Sequence, residues 1–188
     1  MASALPTPDA EAGPARLYLP DIWAVKKERD DDDTMPNQPG VALTAHVVSR
    51  VASLGAFAGM AGVIRGMFKG SLPFAVRSVA AGTTLGGIAG LGMLQFKALT
   101  KDNFDADGIR DRAYRLANNP TQSRFQDRAR MVVPGLAVAA AVTPLPVSVV
   151  TRVLFGTGIG LDICFAMMAQ EMREAKAKAG ETTLRTMD

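Results

Sequence analysis

The sequence predicts an all-α fold: a four-helix transmembrane bundle of two hairpins, with a polar N-terminal extension and a short interfacial helix. Three observations predict it. The charged residues are only 21% of the chain and collect in residues 1–40, 97–130 and 170–188, which leaves 41–96 and 131–169 far more apolar than the 48% hydrophobic mean. Aromatics are 6%, so the apolar mass is Ala, Gly, Val, Leu and Met, a composition suited to close helix packing and not to a β-rich core. Glycines also recur at steps of three and four through the first apolar block, the spacing of one helix face.

Residues 1–45 form a polar, acidic extension. Eight acids, including the run Asp30, Asp31, Asp32 and Asp33, stand against four bases. On its own this segment has too little apolar content to order. The expectation is that it docks on partner subunits, with Trp23 as an anchor and the carboxylates meeting basic loops. Residues 1–16 hold one Arg and two acids, unlike a basic amphipathic transit peptide, so import without a cleaved presequence is expected.

Residues 46–96 read as the first transmembrane hairpin. From 46 to 68 the only charges are Arg50 and Arg65, and these 23 positions would rise roughly 34 Å as a helix, enough to cross a hydrocarbon core. Lys69-Gly70-Ser71, followed by Pro73, turns the chain into a second span, 74–96, charged only at Arg77. Gly55, Gly59, Gly62 and Gly66 fall within roughly a 60° stripe of the first span. Gly82, Gly86 and Gly90 repeat the stripe on the second, joined by Ala75 and Ala89, while Ala56 lies off it. Helices in lipid gain no hydrophobic effect from each other and rely on backbone approach, so the two small-residue faces are expected to meet.

Residues 97–130 form a polar connector with eight bases against five acids, too mixed for a nucleic-acid patch. Within it, 105–118 reads as a short interfacial helix: acids lead, Ile109, Ala113, Leu116 and Ala117 share a side, and Asn118-Asn119-Pro120 stops it. Its Arg110, Arg112 and Arg115 either touch lipid phosphates or an acidic neighbour, or form a solvated face.

Residues 131–169 are charged only at Arg152 and Asp162 and suffice for two spans, broken at Thr143-Pro144-Leu145-Pro146. The expected spans are 125–142, with basic first turns, and 147–169; one kinked span with a re-entrant end is the alternative. The tail, 170–188, leaves as a charged helix, with Gly180 as a stop. Asp162 would cost roughly 2.5 to 3.5 kcal/mol at a helix centre and needs a partner. Counted from the span ends, Arg50 and Asp162 have similar depths, roughly 6 and 10 Å, which predicts that these two intramembrane charges pair, the alternatives being a lone protonated Asp162 or a pair with a neighbouring subunit.

Little here supports catalysis. The one cysteine, Cys164, and the one histidine, His46, exclude an internal disulfide and a thiolate zinc cluster, and no Ser sits in a G-x-S-x-G setting. Gly66-Met67-Phe68-Lys69-Gly70-Ser71 has Lys before Gly, unlike a phosphate loop, and Gly156, Gly158 and Gly160 lack dinucleotide spacing. No catalytic site, cofactor or metal is expected.

Two glycine-striped hairpins, a basic turn after the first span and this length together resemble the mitochondrial inner-membrane translocase family, also called the preprotein and amino acid transporter family, over about residues 41–169. Within it the chain most resembles the accessory subunit of the membrane arm of respiratory complex I. The family pattern of Arg, three residues and Asp ahead of a glycine pair is incomplete, because Arg77 is followed at that distance by Ala81. The resemblance implies a non-catalytic structural subunit, multi-pass in the mitochondrial inner membrane, bound to other membrane subunits and to phospholipid such as cardiolipin, without nucleic acid or a small-molecule substrate. The alternative is a translocase channel component of the inner membrane or the plastid envelope; the scarcity of polar residues in the spans favours the structural role. The positive-inside rule would put the termini and the connector in the matrix, whereas the resemblance implies the intermembrane space.

Overall fold

The computed structural model describes residues 17–28, 33–100 and 104–185. Among them there are six helices and no strand: α1 (Leu19–Ala24), α2 (Pro39–Phe68), α3 (Leu72–Thr100), α4 (Ala106–Ala117), α5 (Pro120–Val142) and α6 (Val149–Arg185). Local chemistry sets most of the ends. Pro39 and Pro120 open α2 and α5, where a missing amide costs nothing. Asp105 caps α4 by accepting from the Gly108 amide at 2.7 Å, and Asn119 caps α5 by accepting from the amides of Thr121 and Gln122. Ser148 accepts from the Thr151 amide at 3.2 Å to start α6.

Between α2 and α3 the turn is a Schellman motif: the Ser71 amide reaches the Gly66 carbonyl at 2.8 Å and the Gly70 amide reaches Met67 at 3.1 Å. Gly70 takes φ +62°, the left-handed conformation this turn requires. The result is a tight antiparallel hairpin. Prolines 144 and 146 leave only two short-range amide bonds in the second turn, after which α6 runs back along α5. α6 joins the hairpins by packing on α3 and α2, while α4 and α1 lie against α2.

Among the described residues three helices are long and apolar enough to cross a membrane: α2, α3 and α6 from Val149 to Ala177. The expectation of four spans is met for three. The apolar part of α5, residues 131–142, is 12 residues, about 18 Å of helix against a hydrocarbon core of about 30 Å. The preceding turns carry Arg124, Asp127, Arg128 and Arg130. α6 also runs past Gly180, the expected stop, to Arg185.

Side-chain size sorts the faces. Ala52, Ala56, Ala75, Ala80, Gly86 and Gly90 are buried, whereas Leu54, Phe57, Ile64, Phe68, Leu85 and Ile88 are exposed. That is the reverse of a water-soluble bundle, where the large residues fill the core. The polar end is organised differently. Ile22 and Val25 of the extension, Leu43 of α2, Leu94 and Ala98 of α3, Phe104 and Ile109 form a core of ordinary large residues. A second cluster, Ala52, Phe125, Leu161, Cys164 and Met168, ties α2 to the second hairpin.

Candidate functional site

The glycine stripes of α2 and α3 lie against each other, backbone to backbone. A Cβ added to Gly59 would fall 2.6 Å from the Ser78 carbonyl oxygen and 2.8 Å from Val79 Cα; on Gly86 it would fall 2.9 Å from Ala52 Cα. Gly55 and Gly82 face each other's carbonyls, and Gly90 sits on Val48, its Cβ position 3.0 Å from that Cα. Contacts under 3.0 Å with backbone cannot be relieved by a rotamer change, so these positions set the helix separation. The last turns differ: Gly62 faces the movable Ser78 side chain, and Gly66 meets Ala75. Ala75 is buried within the seam, but Ala89, placed on the stripe by spacing, is exposed.

A second seam, whose contacts the glycine spacing of the second hairpin did not by itself assign, joins α5 and α6. Gly156 of α6 faces the Leu136 carbonyl of α5, and Gly160 lies against Val133, 3.0 Å from its Cα. Gly158, pointing the other way, meets Thr83 and Ala56. Gly156 and Gly160 have the small-xxx-small spacing of the first hairpin, which is the signal in the sequence for this contact. Ala56, off the glycine stripe, is fully buried all the same, because it belongs to the face of α2 that receives α6.

Arg50 and Asp162 face the same interior but do not pair. Arg50 donates to Gln122 Oε1 at 2.6 Å and to Met168 Sδ at 3.5 Å, with its guanidinium carbon 5.3 Å from the Phe125 ring centroid and 5.7 Å from that of Phe165. Asp162 Oδ1 accepts from Ser53 Oγ at 2.9 Å. Arg50 Nε and Asp162 Oδ2 are buried without a hydrogen-bond partner within the chain. The two groups separate along the bundle because Met168, at the level of the guanidinium, is six residues from Asp162, about 9 Å of helix. Arg50 extends toward the polar end, as a long cation does near a membrane boundary. Arg128 of α5 pairs with Glu171 of α6. Ser53 and Gln122 were missed as partners because neither carries a charge.

At the polar end the described part of the extension folds back on its own chain. Gly40 approaches the Ile22 carbonyl closely enough to exclude a side chain, and the half-exposed Trp23 donates from Nε1 to Thr44 Oγ1 at 3.1 Å. Leu19 N donates to Gln95 Oε1 at 2.8 Å. Of the α4 arginines, Arg110 pairs with Glu28 of the extension and with Asp107, Arg115 pairs with Asp111, and Arg112 stands over the Phe104 ring at 4.6 Å. The acidic neighbour of Arg110 is thus intramolecular. Of the acidic run, Asp33 meets Lys27 at 3.7 Å, while Asp30, Asp31 and Asp32 lie outside the described residues. No family model, curated protein or solved structure matches the chain.

Proposed function

We propose that the chain is a non-catalytic structural subunit of a mitochondrial inner-membrane complex, specifically the membrane arm of NADH:ubiquinone oxidoreductase, where it supports assembly and stability. The observation that carries this reading is the sorting of side chains. Small residues close α2, α3 and α6 on one another, and large apolar side chains cover the outer faces of α2 and α3. Such a bundle presents surface to lipid and neighbouring subunits and keeps little interior for cargo. The choice of membrane and complex rests on the architectural resemblance of the two hairpins. Extraction with a mild detergent and native electrophoresis test it: the chain is expected to co-migrate with NADH dehydrogenase activity, and migration with a protein-import assembly would refute it. Release by alkaline carbonate would remove the membrane assignment altogether.

A second reading, a translocase channel component, draws on the two charges inside the bundle, Arg50 on Gln122 and Asp162 on Ser53, since intramembrane charge often marks a pathway. Conductance of the purified chain in planar bilayers, abolished by Asp162→Asn, would favour it. A silent bilayer is the expected result.

A further inference from the structure

The two hairpins do not close along their whole length. α2 and α5 touch little directly, and a cavity of about 280 Å³ opens between them, close to the lower size of small-ligand pockets, about 300 Å³. Its walls have two characters. Val133, Pro134 and the buried Leu161 supply hydrocarbon, while His46, Gln126 and Arg130 supply polar groups, and no carboxylate lines it. The Arg130 side chain is 77% exposed and holds Asp127 only at 3.8 Å, an exposed pair of small energy. His46 Nδ1 has no hydrogen-bond partner within the chain.

Position along the helices gives this cavity its occupant. Arg130 is the last charge of α5 before the apolar residues 131–142, so it stands where polar surface gives way to hydrocarbon. Beyond it α5 presents Val133 and Pro134, and α6 supplies Leu161 behind them. A cation at the boundary with an apolar trough running inward is complementary to an anionic amphiphile: phosphate at the guanidinium, acyl chain in the trough. The arginines of α4 make no such site, because Arg110 and Arg115 are paired with carboxylates of this chain.

We propose that the groove between α2 and α5 binds one anionic phospholipid, its phosphate beside Arg130 and His46 and one acyl chain against Val133, Pro134 and Leu161. This requires that the chain be embedded in a bilayer but does not depend on which complex contains it.

The test is native mass spectrometry of the full-length, delipidated chain in detergent, titrated with phosphatidylglycerol or phosphatidylcholine. The wild type is expected to retain one phosphatidylglycerol with a preference of about fivefold, the factor contributed by one basic side chain near an anionic headgroup. Arg130→Gln should abolish the preference while leaving weak retention of both lipids. Ala45→Phe, at an exposed position on the groove wall, should reduce retention of both by filling the trough. Thermal unfolding of each variant without lipid checks that it remains folded. A preference unchanged in Arg130→Gln, or a wild type that does not distinguish the two lipids, would overturn the proposal, the latter leaving the groove to a partner helix. Carbonate extraction and co-migration would be unaffected by that failure.

Discussion

Replacing Gly59 with Ala adds one methyl group where the fold has no room for it. The new Cβ would stand 2.8 Å from Val79 Cα and 2.6 Å from the Ser78 carbonyl oxygen, both backbone atoms. Ordinary carbon contacts lie at about 3.5 to 4.0 Å, so α2 and α3 must part by about 0.7 Å or more near this point. A gap of that size forfeits roughly a quarter to a half of the dispersion well of each atom pair along the seam. Overpacking of this kind costs about 1 to 3 kcal/mol, offset by up to about 1 kcal/mol for the better helix propensity of Ala. Gly92→Ala is the matched control, since nothing lies within 4 Å of its Cβ position; it keeps the propensity gain without the clash. The two variants should differ by about 2 kcal/mol, roughly 30-fold in the unfolding equilibrium. Unfolding in mixed micelles titrated with dodecyl sulfate measures the difference. Gly59→Ala and Gly92→Ala unfolding at the same detergent fraction would refute the account of the seam.

The same assay tests two further expectations, and limited proteolysis tests a third. Ala56→Leu should destabilise by about 1 to 3 kcal/mol, because the fully buried methyl faces Gly158 of α6, and a neutral result would mean that α6 does not pack there. In double-mutant cycles Asp162→Asn should couple to Ser53→Ala, and Arg50→Gln to Gln122→Ala, by about 0.5 kcal/mol or more, while coupling of Arg50→Gln to Asp162→Asn is smaller; a dominant Arg50–Asp162 term would show that the two charges do meet. Glu28→Arg should speed proteolytic cleavage between the extension and α2 by up to about fivefold, and adding Arg110→Glu should restore protection, whereas cleavage unchanged in the single variant would separate this ion pair from the docking of the extension.

Much of the architecture was legible because its causes are local. The apolar blocks, the turn at Gly70, the break at Pro144 and Pro146 and the short helix ended at Asn118-Asn119-Pro120 each depend on a few consecutive residues. Period alone placed Gly55, Gly59, Gly82, Gly86 and Gly90 on facing stripes, and the short turn between the spans made them antiparallel. Period was less reliable at the margins of a stripe, where Ala75 is buried and Ala89, about 40° round the helix from it, is exposed.

What only the tertiary structure decided is how the second hairpin meets the first and which polar groups become neighbours. Depth measured from the ends of apolar runs brought Arg50 and Asp162 together on paper, yet α2 begins at Pro39 and α6 continues to Arg185, so neither run ended at a common plane. The actual register is set by Gly158 seated on Ala56 and Thr83, which places Ser53 opposite Asp162 and sends Arg50 toward Gln122. Residues in one helix are ordered by the 1.5 Å rise of a single chain; residues on different helices are ordered by side-chain volumes at the contact, which sequence spacing does not encode. The acidic extension follows the same division. Its charge and low apolar content were apparent from composition, but Ile22 and Trp23 found α2 of their own chain because a core of Leu43, Leu94 and Ile109 exists only once α2, α3 and α4 have assembled.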